Sequence, residues 1–384
     1  MKQKILILMS DTGGGHRSAA EAIQAAFAHD FPDRYDVTLK DGIADAAIFP
    51  FNHAADWYLP ITTYAEGGWG ALFKASNHPR IAPSALRLLD LVASRGLDRL
   101  IRDAAPDLVV SVHPLLTTIA RRVLRAQGSR APFVVVVTDL FDAHRLWFDP
   151  DADLCLVPTD GARDRALKYG MAENKLQVAG LPVHLKFLAN IQRKTRTREQ
   201  LELDPQRATI LLVGGGEGMG QLYNIARAID RAQLPAQLVI IAGRNKALRE
   251  KLQAAAWHIP VAIQGFITNM PDWMRASDVI VTKAGPGTIM EAIACGLPII
   301  LSGFLPGQEE GNVTFVESSG VGVLRRKPEE IARVLSEWLA PGNDALEKMS
   351  ARARERARPR AALEIAGILN AVLATAPNPK RINE

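Results

Sequence analysis

Three short segments hold residue types that could handle an anion or a proton. The first is Ser10-Asp11-Thr12-Gly13-Gly14-Gly15-His16-Arg17-Ser18, directly after the apolar run Lys4–Met9. A glycine-rich turn between a strand and a helix points backbone N–H groups at a bound anion, which makes Gly14 and Gly15 candidates to line such a site. Gly13 and Gly15 fit a dinucleotide turn, but Ser18 stands at its third glycine position, so that match is weak. His16 lies at the mouth of the turn, where strand carboxyl ends of open α/β sheets bind ligands. An imidazole with an ordinary pKa of about 6.5 can accept a proton at neutral pH, so His16 is the candidate general base. A histidine that merely caps the turn is the alternative.

The second segment, Gly214-Gly215-Gly216-Glu217-Gly218-Met219-Gly220, follows the run Ile210–Val213. Gly215, Gly216 and Gly218 could cradle phosphates, or could simply let two backbones approach. The third, Thr282-Lys283-Ala284-Gly285-Pro286-Gly287-Thr288-Ile289-Met290-Glu291, is the most specific. A helix opening at Gly287-Thr288 offers free N–H groups and partial positive charge to a diphosphate. Glu291, one turn in, cannot favour phosphate and is expected to accept hydrogen bonds from a sugar hydroxyl pair, such as a ribose. Gln308 and Glu309, in the loop Pro306-Gly307-Gln308-Glu309-Glu310-Gly311-Asn312, have the right groups to read sugar hydroxyls; loop solubility is the other reading. His113 and His144 also follow apolar runs and could line an acceptor cleft or be structural.

Several classes are excluded or disfavoured. No GxxxxGK[ST] loop occurs, and neither glycine-rich turn completes GxGxxG. No zinc-spaced Cys/His set or HExxH is present, so a catalytic metal is not indicated. The excess of 46 Lys+Arg over 41 Asp+Glu is too mild to argue for nucleic acid. Cys155 and Cys295 sit in apolar runs and read as buried free thiols of a reducing compartment. No apolar stretch approaches the roughly 18 residues of a spanning helix. The apolar part of the N-terminus is too short for a signal peptide. The expected location is the cytoplasm.

The elements that must position these residues alternate. Short runs rich in Val, Ile and Leu read as strands at Lys4–Met9, Asp36–Leu39, Leu108–Val112, Phe133–Val137 and Asp153–Val157. They recur at Ile210–Val213, Leu238–Ala242, Val261–Ile263, Val279–Val281 and Ile299–Leu301. Amphipathic stretches between them, such as Ser18–Ala28, Thr117–Gln127 and Leu222–Ala232, read as crossover helices. The alternation restarts at the second glycine-rich turn. This predicts an α/β chain of two Rossmann-like domains, residues 1–185 and 207–350. A polar, basic linker spans 186–206, and a helix with a frayed tail covers 351–384. Residues 49–73 break the rhythm. Phe49, Phe51, Trp57, Tyr58, Tyr64, Trp69 and Phe73 show no clean period, so the segment is either a packed insertion or an aromatic patch for a membrane interface. The basic stretches Lys186–Arg198 and Ala351–Arg360 are either solvated faces or contacts for an anionic membrane surface.

Taken together, SDTGGGHRSAAEAI, SVHPL, VTDL followed by WF, GLPV, VGGGEGMG and TKAGPGTIMEAIACGLPIIL with PGQEEGN resemble the monogalactosyldiacylglycerol synthases. They are similar to the processive diacylglycerol glycosyltransferases, which share the N-terminal motif less closely, and more broadly to glycosyltransferase family 28. The resemblance runs from Lys4 to about Gly322. It implies a GT-B architecture, with two Rossmann-like domains facing across a cleft. It also implies an inverting transfer of a hexose from UDP-galactose or UDP-glucose to diacylglycerol, with no required metal or cofactor. On this resemblance His16 is the general base, and Lys283, Gly285, Pro286, Gly287, Thr288 and Glu291 form the nucleotide site. Gln308 and Glu309 meet the hexose, and Phe266 lies beside the uracil. The expected partners are a UDP-hexose, diacylglycerol and an anionic membrane surface to which the protein binds peripherally. The N-terminal half departs from the plant pattern at Phe49–Phe73 and after Leu140, which leaves the acceptor less constrained than the donor. Three rivals use the same motifs: a UDP-sugar 2-epimerase, which needs no aromatic segment or GGGH turn, another GT-B glycosyltransferase with a different lipid acceptor, and a non-catalytic UDP-sugar sensor, which makes no use of His16.

Overall fold

The computed structural model describes residues 2–12, 14–188, 194–216, 218 and 220–376. Gly13 of the first turn, Glu217 and Met219 of the second, Arg193 of the basic stretch and residues 377–384 of the tail lie outside the described residues. The chain forms two compact units. The first comprises Met1–Leu185, Pro306–Gln308 and Pro359–Glu384; the second comprises Lys186–Leu305 and Glu309–Arg358.

The first unit is built on a six-stranded parallel sheet. Its strands are β1 (Gln3–Met9), β2 (Tyr35–Asp41), β3 (Leu108–Ser111), β4 (Phe133–Val136), β5 (Leu154–Val157) and β6 (Leu176–Val178), in the order β2-β1-β3-β4-β5-β6. The second has β7 (Ala208–Val213), β8 (Ala236–Ile241), β9 (Val261–Gln264), β10 (Val279–Lys283), β11 (Ile299–Gly303) and β12 (Gly322–Leu324), in the order β12-β11-β10-β7-β8-β9. Both sheets are parallel throughout. The interior strands carry continuous apolar runs because helices cover both faces. All ten expected strands are present. The two that the pattern did not reveal, β6 and β12, are three-residue edge strands, too short to show a period.

Strand order decides where each site forms. Order reverses between β1 and β3 in the first sheet and between β7 and β10 in the second. At such a point neighbouring crossovers leave to opposite faces and open a crevice at the carboxyl ends. The helix that follows β1 carries His16 in its first turn, and the loop after β3 carries His113. The loop after β7 carries the second glycine-rich turn, and β10 ends in Lys283.

The segment 49–73 is not irregular. It forms two helices, Ala54–Tyr64 and Glu66–Ser76, followed by a long helix Ala82–Ala104. Pro60 and three glycines inside the pair hide the helical period. The stretch expected as a linker contains the helix Lys194–Gln200, which belongs to the second unit. There Arg198 is buried, donates to Ala276 O at 2.8 Å and pairs with Asp278, while Lys194 pairs with the other Asp278 oxygen. The second basic stretch is also engaged. Arg356 donates to Ser319 O and Arg352 to Gly320 O, at the carboxyl end of the helix Glu310–Ser318. Cations there complement the helix dipole, and both side chains stay exposed on the surface. A boundary at 351 would cut the helix Ala345–Arg356. The final helix, Ala361–Thr375, returns to the first unit against the helix Gly15–Asp30, burying Leu363, Ile365, Leu369 and Leu373. Cys155 is buried as expected, but Cys295 is only partly so.

Candidate active site

In the first unit, β1 delivers the chain into a turn that Gly14 completes at φ 75°. The helix Gly15–Asp30 starts there because Ala19, Ala20, Ile23, Ala26 and Phe27 bury one face against the sheet. Asp41, at the end of β2, accepts from the N–H groups of Asp11, Ile43 and Ala44, and Asp11 in turn pairs with Arg17. The turn is therefore tied down on both sides of His16.

His16 Nδ1 lies 2.9 Å from the carbonyl oxygen of Val112 and 3.1 Å from Thr138 Oγ1. A carbonyl can only accept, so Nδ1 carries the proton and Nε2 keeps its lone pair. The rings of His113 and Trp147 enclose the imidazole, with centroids 4.5 and 5.8 Å away. Burial lowers the pKa of His16 to about 4, against the raising effect of the Val112 bond. It is a neutral base at physiological pH. His113 is pushed well below its ordinary value by burial and by His16, and its Nε2 meets Thr12 Oγ1 at 2.9 Å. His144 does not join this group. It is lowered to about 4 mainly by burial, its Nδ1 accepts from Leu146 N–H, and its Nε2 meets Ser76 Oγ.

In the second unit, glycine is required where the backbones of two loops cross. A Cβ on Gly218 (φ 62°) would stand 2.2 Å from Ala242 O, and one on Gly243 (φ 61°) 2.3 Å from Gly216 O. The second glycine-rich turn is thereby seated on the loop after β8, and Arg244 N–H donates to Gly216 O at 2.8 Å. A register shift between Thr282 and Lys283 skips Ser302 and sets Lys283 opposite Gly303 at the end of the β10–β11 ladder. Its Cε then lies 3.8 Å from where a Cβ on Gly215 or Gly285 would stand. The helix Pro286–Ala294 opens at Gly285 with no side-chain cap, leaving the N–H groups around Gly287 and Thr288 for an anion. Asn312 Nδ2 donates to Ala284 O at 2.8 Å and holds the turn from behind.

Glu291 is half-buried in that helix, and burial pushes its carboxyl up to about 7. Glu309 is engaged differently from the expectation. One of its oxygens accepts from Lys283 Nζ at 3.1 Å and the other from Leu305 N–H at 2.9 Å. It aims the lysine before it can read a sugar. Gln308, in the first unit, accepts from Trp69. Phe266 is 55% exposed, and the Arg244 guanidinium lies 4.3 Å from its ring centre, a flat platform on which a base could stack. Arg244, Asn312, Thr138 and Trp147 were missed by sequence reasoning. Arg244 had a signal as the second residue after the apolar run Leu238–Ala242, and Thr138, Trp147 and Asn312 stand inside the motifs VTDL, WF and PGQEEGN. Among the described residues, no group of three or more His, Cys, Asp or Glu side chains could hold a metal ion.

Comparison with known proteins identifies the family and agrees with the fold. Residues 16–183 match the family model of monogalactosyldiacylglycerol (MGDG) synthase, and residues 209–363 match the glycosyltransferase family 28 C-terminal domain. The chain is 40% identical over 370 residues to the chloroplastic monogalactosyldiacylglycerol synthase 3 of Arabidopsis thaliana, covering 94% of this chain and 79% of that one. Among solved structures it shares the fold of MurG from Acinetobacter baumannii, with a TM-score of 0.60 and 16% identity over 96% of this chain and 99% of that one. It is as close in fold to a putative UDP-N-acetylglucosamine 2-epimerase from Listeria monocytogenes, with a TM-score of 0.62 and 17% identity over 99% of both chains. Fold alone therefore does not separate a transferase from an epimerase, whereas sequence identity along nearly the whole chain does. The chain belongs to the monogalactosyldiacylglycerol synthase family of glycosyltransferases.

Proposed function

We propose that the protein transfers galactose from UDP-galactose to the free hydroxyl of diacylglycerol, with inversion at the anomeric carbon, and that His16 is the base. The observation that carries this reading is the fixed tautomer of His16: Nδ1–H is committed to Val112 O, and Nε2 is neutral. A diacylglycerol hydroxyl has a pKa far above neutral, so a base is needed as its oxygen attacks the sugar. Such assistance is worth about 10² to 10⁴ in rate. The Val112 carbonyl and Thr138 hydroxyl steady the imidazolium that forms. The nucleotide part of the donor belongs to the second unit. Lys283 and the helix N-terminus at Gly287-Thr288 take the diphosphate, Glu291 the ribose, and Phe266 with Arg244 the uracil. As UDP leaves, charge gathers where these donors are already oriented. Glu309 keeps Lys283 aimed there, and Gln308 meets the hexose.

The acceptor's tails lie in a bilayer, so the protein must dock on one. Among the described residues no helix is long and apolar enough to cross a membrane. The first unit exposes Ile48, Phe49, Trp57, Leu72, Leu88 and Leu91, with Phe49 79% and Leu91 75% accessible. Exposed Arg87 and Arg95 lie on the same long helix as Leu88 and Leu91. Apolar side chains flanked by cations suit the surface of an anionic bilayer. Incubating the protein with diacylglycerol vesicles and either UDP-galactose or UDP-glucose, with products identified by mass spectrometry, tests the reading. A monohexosyl diacylglycerol from UDP-galactose is expected. Epimerised nucleotide sugar, or lipid-independent release of hexose alone, would overturn it.

A further inference from the structure

In the first unit, a polar contact joins a helix of the aromatic segment to the loop that carries Gln308. Trp69 Nε1 donates to Gln308 Oε1 at 3.2 Å. The indole is held by Tyr58, whose ring stands at 89° to it with centroids 5.2 Å apart. The backbones fit closely around the bond. A Cβ on Gly70 would come within 2.9 Å of Pro306 Cβ, and one on Gly307 (φ 81°) within 3.2 Å of Phe73 Cδ1. Only glycine at both positions lets the loop Pro306–Gln308 lie this near the helix Glu66–Ser76.

A glutamine amide has an acceptor end and a donor end, and unaided it can present either one to a ligand. An indole N–H only donates. It therefore takes the amide oxygen and turns the NH₂ group the other way. Galactose and glucose differ in the direction of one hydroxyl. A group of fixed polarity can tell them apart by where it finds an oxygen; an amide free to flip and swing satisfies both.

We propose that Trp69 is a positioning residue for donor-sugar selection, holding Gln308 as a fixed hydrogen-bond donor to the hexose. This rests on the reading of Gln308 as a hexose contact. Trp69→Phe keeps the ring against Tyr58 and removes only the N–H. It is expected to lower the ratio of kcat/KM for UDP-galactose over UDP-glucose about tenfold, the worth of one oriented hydrogen bond. Affinity for bare UDP and binding to diacylglycerol vesicles should not change. Trp69→His, which restores a ring N–H, should recover most of the preference. In a Gln308→Ala background, Trp69→Phe should have no further effect on the ratio. An unchanged ratio in Trp69→Phe, no recovery in Trp69→His, or an equal effect with and without Gln308 would overturn the proposal. If Gln308→Ala itself left the ratio intact, the hexose role of Gln308 would fall first.

Discussion

At the scale of single residues, two carboxyl and imidazole environments set how activity depends on pH. With His16 lowered to about 4, kcat at saturating donor should stay flat from pH 8 to about 5 and fall only below that. An acid limb at the ordinary imidazole value of about 6.5 would show that another group titrates. His16→Ala should lose at least about 10²-fold in kcat while UDP affinity is kept; near-native turnover would remove His16 from the mechanism. Glu291 carries the opposite shift. Raised to about 7 in the free protein, it is partly protonated at neutral pH, and hydrogen bonds from ribose hydroxyls favour its ionised form. UDP binding should therefore tighten as pH rises from 6 to 8 and release protons. Glu291→Gln should abolish that part of the pH dependence, as calorimetry in buffers of different ionisation enthalpy would read. A proton release identical in the variant and the parent would refute the ribose role.

At the scale of elements, the helices between residues 48 and 91 should govern attachment to vesicles. Phe49→Ser with Leu91→Ser should weaken the salt-resistant part of co-sedimentation about tenfold or more, since each exposed apolar side chain buried in lipid is worth about 1.5–3 kcal/mol. UDP binding in solution should be untouched, and sedimentation equal to the parent's would move the lipid contact elsewhere. Trp69 is unsuited to this test because it is half-buried against Tyr58 and Gln308. The same segment shows what could be read from the chain. Interior strands were legible because burial on both faces leaves unbroken Val, Ile and Leu runs, as in Phe133–Val136. The glycine-rich turns were legible because their backbones crowd each other, as at Gly218 and Ala242. The pair Ala54–Tyr64 and Glu66–Ser76 was not, because exposed apolar residues around both helices erase the amphipathic stripe. The basic stretches looked like surface charge. No periodicity shows that Arg356 turns back to Ser319 O or that Arg198 pairs with Asp278. Nor could spacing show that Glu309 is claimed by Lys283, a residue 26 positions away in sequence.

At the scale of the whole molecule, three histidines kept neutral by burial tie stability to pH. Each binds a proton more readily unfolded than folded. Stability should be constant above about pH 6.5, fall as pH drops towards 4, and level off below the folded values. His144 alone, lowered from about 6.5 to about 4, accounts for roughly 3 kcal/mol of that loss. Melting curves for the parent and His144→Asn should converge as pH falls; parallel curves would contradict the shift. The central claim, a single displacement at the anomeric carbon by a lipid oxygen that His16 deprotonates, has a direct stereochemical consequence. UDP-galactose is an α-glycoside, so one displacement must give a β-galactosyl diacylglycerol. The anomeric proton coupling of the purified glycolipid, measured by NMR, reads this without reference to rate. A β-linked product that vanishes with His16→Ala is the predicted result. An α-linked product would require retention and a second nucleophile, and would contradict the account.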